Sequence, residues 1–207
     1  MENYQLILEK KLEEIKNSEN RPSLLLHSCC GPCESYVLLY LCDYFDITVD
    51  YFNPNIAPDA EYYRRMAEAK RVSEILPLGN KVNFIENALD AQVFYTAVNG
   101  LEDIPEGGER CFACYRLRME KAAKRAKEQG YDYFTTTLSI SPHKNSAKLN
   151  EIGFALEQEY NVKYLPADFK KKNGYKRSLE LSKEYGLYRQ SYCGCAFSLA
   201  ESQGRKA

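Results

Sequence analysis

The sequence predicts an α/β fold: a mostly parallel sheet with helices on both faces, followed by an irregular C-terminal extension. Three observations carry this reading. Short apolar runs alternate with longer helical patterns along most of the chain. The run Ser23 to His27 (Ser-Leu-Leu-Leu-His) is continuously apolar within, as suits a strand buried on both faces. The regular alternation stops after Pro166.

Residues 2–18 form an amphipathic pattern, with Tyr4, Ile7, Leu8, Leu12 and Ile15 on one helical face. Pro22 closes the link to the first strand, 23–27. Residues 28–33 read as a turn, 34–44 as a helix and 47–52 as a strand, with a turn signal at Asn53-Pro54-Asn55. A charged helix over 59–75, a strand over 81–85 and a helix over 89–98 follow. The loop 101–110 contains Pro105, Gly107 and Gly108, and a helix over 112–129 is ended by Gly130. A strand over 133–138, a helix over 144–160 and a strand over 162–165 complete the alternation. Right-handed crossovers place the strand C-termini along one edge, where ligands bind. The chain 1–207 reads as one domain, with an N-terminal helix in 1–20 and an extension in 167–207 folded over that edge.

The formal net charge is −1, so any nucleic-acid contact must come from a local patch. No run of 18 or more apolar residues is present, which argues against a membrane span. Residues 1–20 lack the basic, apolar, small-residue order of a signal peptide. The expected compartment is the cytoplasm, where thiols stay reduced.

Eight cysteines then call for something other than disulfides. Cys42 lies alone in an apolar helical pattern and reads as a buried small hydrophobe. The other seven form three groups. Cys29, Cys30 and Cys33 follow the first strand, in His27-Ser28-Cys29-Cys30-Gly31-Pro32-Cys33. The helix after Cys33 adds a positive dipole that favours thiolate. Cys111 and Cys114 form a Cys-x-x-Cys at a helix N-terminus, and Cys193-Gly194-Cys195 has a very tight bite. Seven thiols exceed the four ligands of one tetrahedral zinc site. A 4Fe–4S cluster takes three or four cysteines, leaving the remainder for a second metal ion or an open iron. A closed zinc site with spare thiols and a disulfide staple are the competing explanations.

Polar residues around these groups admit two readings each. His27 is a ligand or proton donor, or a hydrogen-bonded structural histidine at a strand end. His143, in Thr135 to Asn145, contacts substrate, or its segment caps a helix through Ser141 with Pro142 at the first position. Asp168 is a candidate proton carrier or ligand for a hard metal, or a salt-bridge partner of nearby lysines. From Asn161 to Arg177 there are six Lys/Arg residues and one Asp; over 110–130 there are seven Lys/Arg and two Glu. Lys170, Lys171, Lys172, Tyr175, Lys176 and Arg177 are therefore candidates for binding RNA, with Tyr175, Tyr188 and Tyr192 able to stack on unpaired bases. A solvated charged surface is the alternative.

Several stretches together resemble epoxyqueuosine reductases of the QueH type. They are Leu24 to Cys33 (LLLHSCCGPC), Val49 to Ile56 (VDYFNPNI), Arg110 to Arg116 (RCFACYR), Thr135 to Asn145 (TTTLSISPHKN), Asp168 to Ser178 (DFKKKNGYKRS) and Gly186 to Cys195 (GLYRQSYCGC). The resemblance implies an enzyme that removes the epoxide oxygen of epoxyqueuosine in the tRNA anticodon loop. It also implies a 4Fe–4S cluster with a nearby metal ion, iron in our reading, no cobalamin, and a separate electron donor. The seven grouped cysteines match the family's motifs. Residues 24–40 also look like the start of a Rossmann-like fold of the PP-loop (HUP) type. That class carries Ser-Gly-Gly-x-Asp-Ser where this chain has Ser28-Cys29-Cys30-Gly31-Pro32-Cys33. Thiols replace the two glycines and the Asp is missing, so a phosphate site has become a metal site. An ATP-dependent tRNA-thiolating enzyme of that class and a zinc-stabilised RNA-binding module are the alternatives.

Overall fold

The computed structural model describes residues 2–204. Five strands form one parallel sheet: β1 (Ser23–His27), β2 (Asp46–Tyr51), β3 (Asn83–Glu86), β4 (Tyr133–Thr136) and β5 (Lys163–Tyr164). Their order is β3-β2-β1-β4-β5. The chain thus moves outward from β1 to β3, then restarts on the other side of β1. Such a reversal opens a crevice at the C-terminal ends of β1 and β4, the usual ligand site of this architecture. In register, Leu26 lies beside Thr135 and His27 beside Thr136, so the two strands end side by side.

Alternation along β1 fills two cores. Leu24 and Leu26 face one core with Val37, Leu38 and Leu41 of α2 (Gly31–Leu41) and with α1 (Tyr4–Lys16). Leu25 points the other way, against Tyr115, Met119 and Ala122 of α5 (Glu109–Gln129) and Leu149 of α6 (Ser146–Tyr160). All three leucines are fully buried, each worth about 1.5–3 kcal/mol against exposure. Helix α3 (Asp59–Ile75) packs on α2, and α4 (Ala91–Ala97) on α5. The doubly covered parallel sheet is therefore as the sequence predicts. No helix among the described residues is long and apolar enough to cross a membrane.

Two corrections are needed. The extension is not irregular throughout: Gly174–Glu184 is a helix, α7, and Ala196–Ser202 a short one, α8. The buried residues of α7 are Gly174, Ser178, Leu181 and Ser182, only one of them large and apolar. An apolar-periodicity reading has nothing to detect there. The extension also belongs to the main core, which includes Ala167, Phe169 and Leu187. Helices α2 and α5 each start about three residues earlier than their pattern suggests, at Gly31 and Glu109, which brings Cys33 and Cys111 into first helical turns.

Gly174 seats α7 against α2. A Cβ there would lie 1.9 Å from the Phe169 carbonyl oxygen and 2.7 Å from the Tyr36 ring. Gly174→Ala is expected to cost about 1–3 kcal/mol through overpacking. Urea denaturation should show a lower midpoint at unchanged slope; an unchanged midpoint would mean that α7 is not held by this contact.

Candidate metal centre

The loop after β1 carries the first thiols to the crevice. Cys30 caps α2, and Cys33 lies in its first turn. The Sγ atoms of Cys29, Cys30 and Cys33 all lie within 4.8 Å of one another, a ready set of soft ligands. Cys29 is tied to the loop after β4: its N–H donates to Thr137 Oγ1 at 3.3 Å, and that hydroxyl donates to Cys29 Sγ at 3.5 Å. Hydrogen bonds from Cys30 and Cys33 hold the Cys29 thiol well below its ordinary range, aided by Lys144 and Thr137. The same bond to Cys29 pushes Cys30 up to about 12, and Cys33 is also raised.

The other four thiols stand across the crevice. Cys114 and Cys195 are buried in one cluster with Phe94 and Val98. Burial pushes Cys114 up to about 11 and Cys195 up to about 12, and both feel the charge of Cys193. Burial also raises Cys111, whose Sγ accepts the Gly107 N–H at 3.2 Å. Cys195 Sγ caps α8 by accepting the Ser198 N–H at 3.4 Å. All eight cysteines are free thiols, and Cys42 is buried at the end of α2, apart from the rest.

Helix α3 fixes the segment that brings Cys193 and Cys195 over the sheet edge. Arg65 is 1% exposed. Its Nη1 donates to the Cys193 carbonyl at 3.0 Å and its Nε to Glu61 Oε1 at 2.7 Å. Tyr188 N–H donates to Glu68 at 2.6 Å, and Arg71 Nη2 donates to the carbonyls of Tyr185 and Gly186. Gly194 has φ +136°, and a Cβ there would meet Arg65 Nη1 at 3.0 Å. The bite between the two cysteines therefore requires glycine.

A cavity of about 460 Å³ lies in the crevice, lined by Cys29, Cys33 and Cys193 among others. Arg118, Lys144, Asn55, Gln190, Tyr175 and Tyr192 share its wall. Sequence reasoning passed over Arg65, Arg118, Lys144, Asn53, Asn55 and Gln190. The Arg, Lys and Gln lie outside the cysteine motifs, so only folding associates them with the thiols. The buried oxygens Asn55 Oδ1 and Gln190 Oε1 have no hydrogen-bond partner among the described residues.

The remaining candidates separate. His27 is fully buried, with Nε2 3.1 Å from the Phe52 carbonyl and Nδ1 2.8 Å from Thr136 Oγ1. Burial, then Arg118, lowers it to about 4, so the ring is neutral. It fits a structural donor to Phe52 and acceptor from Thr136. His143 lines the cavity, while Asn145 rather than Ser141 caps α6. Asp168 does not line the cavity; Ser146 Oγ donates to it at 3.2 Å and Lys170 Nζ lies 2.8 Å away. Of the basic tract, Lys172 pairs with Glu9, and Arg177 with Glu180 and Glu184. Lys171 and Lys176 are exposed.

The thiols of Cys29, Cys30 and Cys33 could hold a metal ion between them, and Cys193 joins Cys29 and Cys33 on the cavity wall. Lys144 and Arg118 share that wall.

Replacing Arg65 by Ala removes the cation beside half-buried Glu61, which keeps only the Tyr188 hydroxyl, and frees the Cys193 carbonyl. A loss of about 1–3 kcal/mol is expected, with less iron taken up per chain on anaerobic reconstitution. Wild-type stability with full iron uptake would contradict the clamp.

The family model for "Epoxyqueuosine reductase QueH" matches residues 24–201. A protein of that name from Streptococcus pyogenes serotype M1 is 45% identical over 204 residues, 98% of this chain and 80% of its own. The Staphylococcus epidermidis relative is 44% identical over 98% of this chain and 86% of its own, and the Thermotoga maritima relative 36% identical over 89% and 94%. With its cysteine-walled crevice and a match over nearly its full length, this chain belongs to the epoxyqueuosine reductase QueH family of oxidoreductases.

Proposed function

We propose that the chain reduces epoxyqueuosine in the anticodon loop of tRNA to queuosine, as a cytoplasmic enzyme. The observation that carries this reading is the thiol-walled cavity at the sheet's switch point, in a member of a family of that name. In the reaction both carbon–oxygen bonds of the epoxide break and an alkene forms. Two electrons and two protons are consumed and the oxygen leaves as water, so a separate electron donor is required.

Cys29, Cys30, Cys33, Cys111, Cys114, Cys193 and Cys195 would hold a 4Fe–4S cluster and a second metal ion, iron in this reading, which would supply electrons and a Lewis acid when bound. The polypeptide supplies position. Asn55 Oδ1 and Gln190 Oε1 accept hydrogen bonds from hydroxyl or amine donors of the substrate, which satisfies two buried acceptors. Tyr175, Tyr192 and His143 line the cavity and offer flat surfaces to a base. Lys171 and Lys176, exposed on either side of Tyr175 in the chain, contact backbone phosphates. Asp168 orders the loop before α7 through Ser146 and Lys170, rather than meeting substrate.

Anaerobic reconstitution with iron and sulfide should produce a broad absorption near about 400 nm, characteristic of thiolate-bound clusters. The loaded enzyme with a strong reductant should convert epoxyqueuosine-containing tRNA to the queuosine form by nucleoside mass analysis. Cys111→Ala should lose both absorption and conversion. A colourless chain holding stoichiometric zinc, or conversion without the absorption, would refute the reading. Exchanging Lys171 and Lys176 for Ala should weaken tRNA binding and lower its salt slope by about 2; an unchanged slope would place the RNA elsewhere.

A further inference from the structure

Helix α5 carries four arginines near its two cysteines, and one differs from the others. Arg110 pairs with Glu201, Arg116 with Glu120 and Glu159, and Arg125 with Asp50. Arg118 pairs with no carboxylate among the described residues, although it is 3% exposed. Its Nε donates to the Cys114 carbonyl at 3.2 Å and its Nη1 to Asn53 Oδ1 at 3.4 Å. Asn53 Nδ2 in turn donates to the Ser28 carbonyl at 2.8 Å, one residue from Cys29. Arg118 thus joins the two cysteine-bearing segments, and its buried Nη2 has no protein partner. On the cavity wall with it is Lys144, which also forms no ion pair to a carboxylate; its Nζ lies 3.7 Å from Cys193 Sγ.

Burying a guanidinium without an anion costs several kcal/mol. A fold that buries Arg118 in this way, with half-buried Lys144 beside it on one cavity wall, holds a place for negative charge. Lys144 Nζ reaches Cys193 Sγ, Arg118 holds the Cys114 carbonyl, and both side chains share the cavity wall with Cys29 and Cys33. We propose that Arg118 and Lys144 are the built-in counter-ions of the metal centre, joining its two thiol groups and raising its reduction potential. The inference rests on the reading that these thiols hold an iron–sulfur centre. Each electron added to such a centre increases its negative charge, and fixed cations in a low-dielectric wall favour that addition. Neither side chain need touch substrate for this; both act through the thiolates.

The test is a redox titration of reconstituted chains matched for iron and sulfide content. Arg118→Met and Lys144→Met should each lower the equilibrium constant for one-electron reduction about tenfold, a midpoint about 59 mV more negative. Arg118→Lys and Lys144→Arg should restore most of the shift. Lys144 is partly exposed, so Lys144→Met gives the result even where Arg118→Met does not fold. A wild-type midpoint in Lys144→Met at full cluster content overturns the proposal. So does an unchanged midpoint with lost affinity for a short RNA oligonucleotide, which would assign the cations to substrate phosphate. Failure of the underlying reading looks different: the wild-type chain itself takes up no iron–sulfur centre, and the inference falls with it.

Discussion

The clamp of buried Arg65 on the Cys193 carbonyl is the interaction on which the thiol-lined crevice depends. Cys29, Cys30 and Cys33 are placed by the sheet itself, because they follow β1 directly. Cys111 and Cys114 are placed by the first turns of α5. Cys195 is placed as the cap of the short helix α8, while Cys193 lies in the coil before it, far along the chain. Arg65, held by Glu61, converts that coil into a fixed wall, and Gly194 lets it pass within contact of the guanidinium. Without this anchorage the crevice would have three thiols on one side and two on another, with no third side.

The parallel sheet gives the crevice its address. Strand order reverses at β1, so the loops after β1 and β4 diverge and leave a gap at their C-terminal ends. His27 and Thr136 close the floor of that gap with a 2.8 Å hydrogen bond. The neutral ring is a rigid spacer between strands, with both nitrogens engaged. Thr137, one residue on, then reaches Cys29. Sheet register and thiol chemistry are linked through two consecutive threonines.

The fold was legible because its strands are apolar, its helices amphipathic and its breaks marked by Gly and Pro. Helix α7 was not legible, because it packs with Gly174 and serines rather than with an apolar stripe. The cysteine groups were legible as motifs, and the fold brings Cys29, Cys30 and Cys33 within 4.8 Å of one another. Their charged surroundings were not. Arg118 looks like any arginine of a basic helix, and only the fold shows that its three neighbours in α5 have carboxylates while it faces thiols. The lysine tract shows the converse: six cations look like a patch in sequence, but Lys170 and Lys172 are already paired within the protein.

The central claim is that this crevice performs a reductive deoxygenation supported by thiolate-bound metal. The most direct measurement is electron accounting: the loaded enzyme is reduced with a counted number of equivalents, mixed anaerobically with epoxyqueuosine-containing tRNA, and the queuosine formed is quantified. The account predicts two electrons consumed per queuosine, with no requirement for ATP. Queuosine formed without electron consumption, or only when ATP is added, would contradict it.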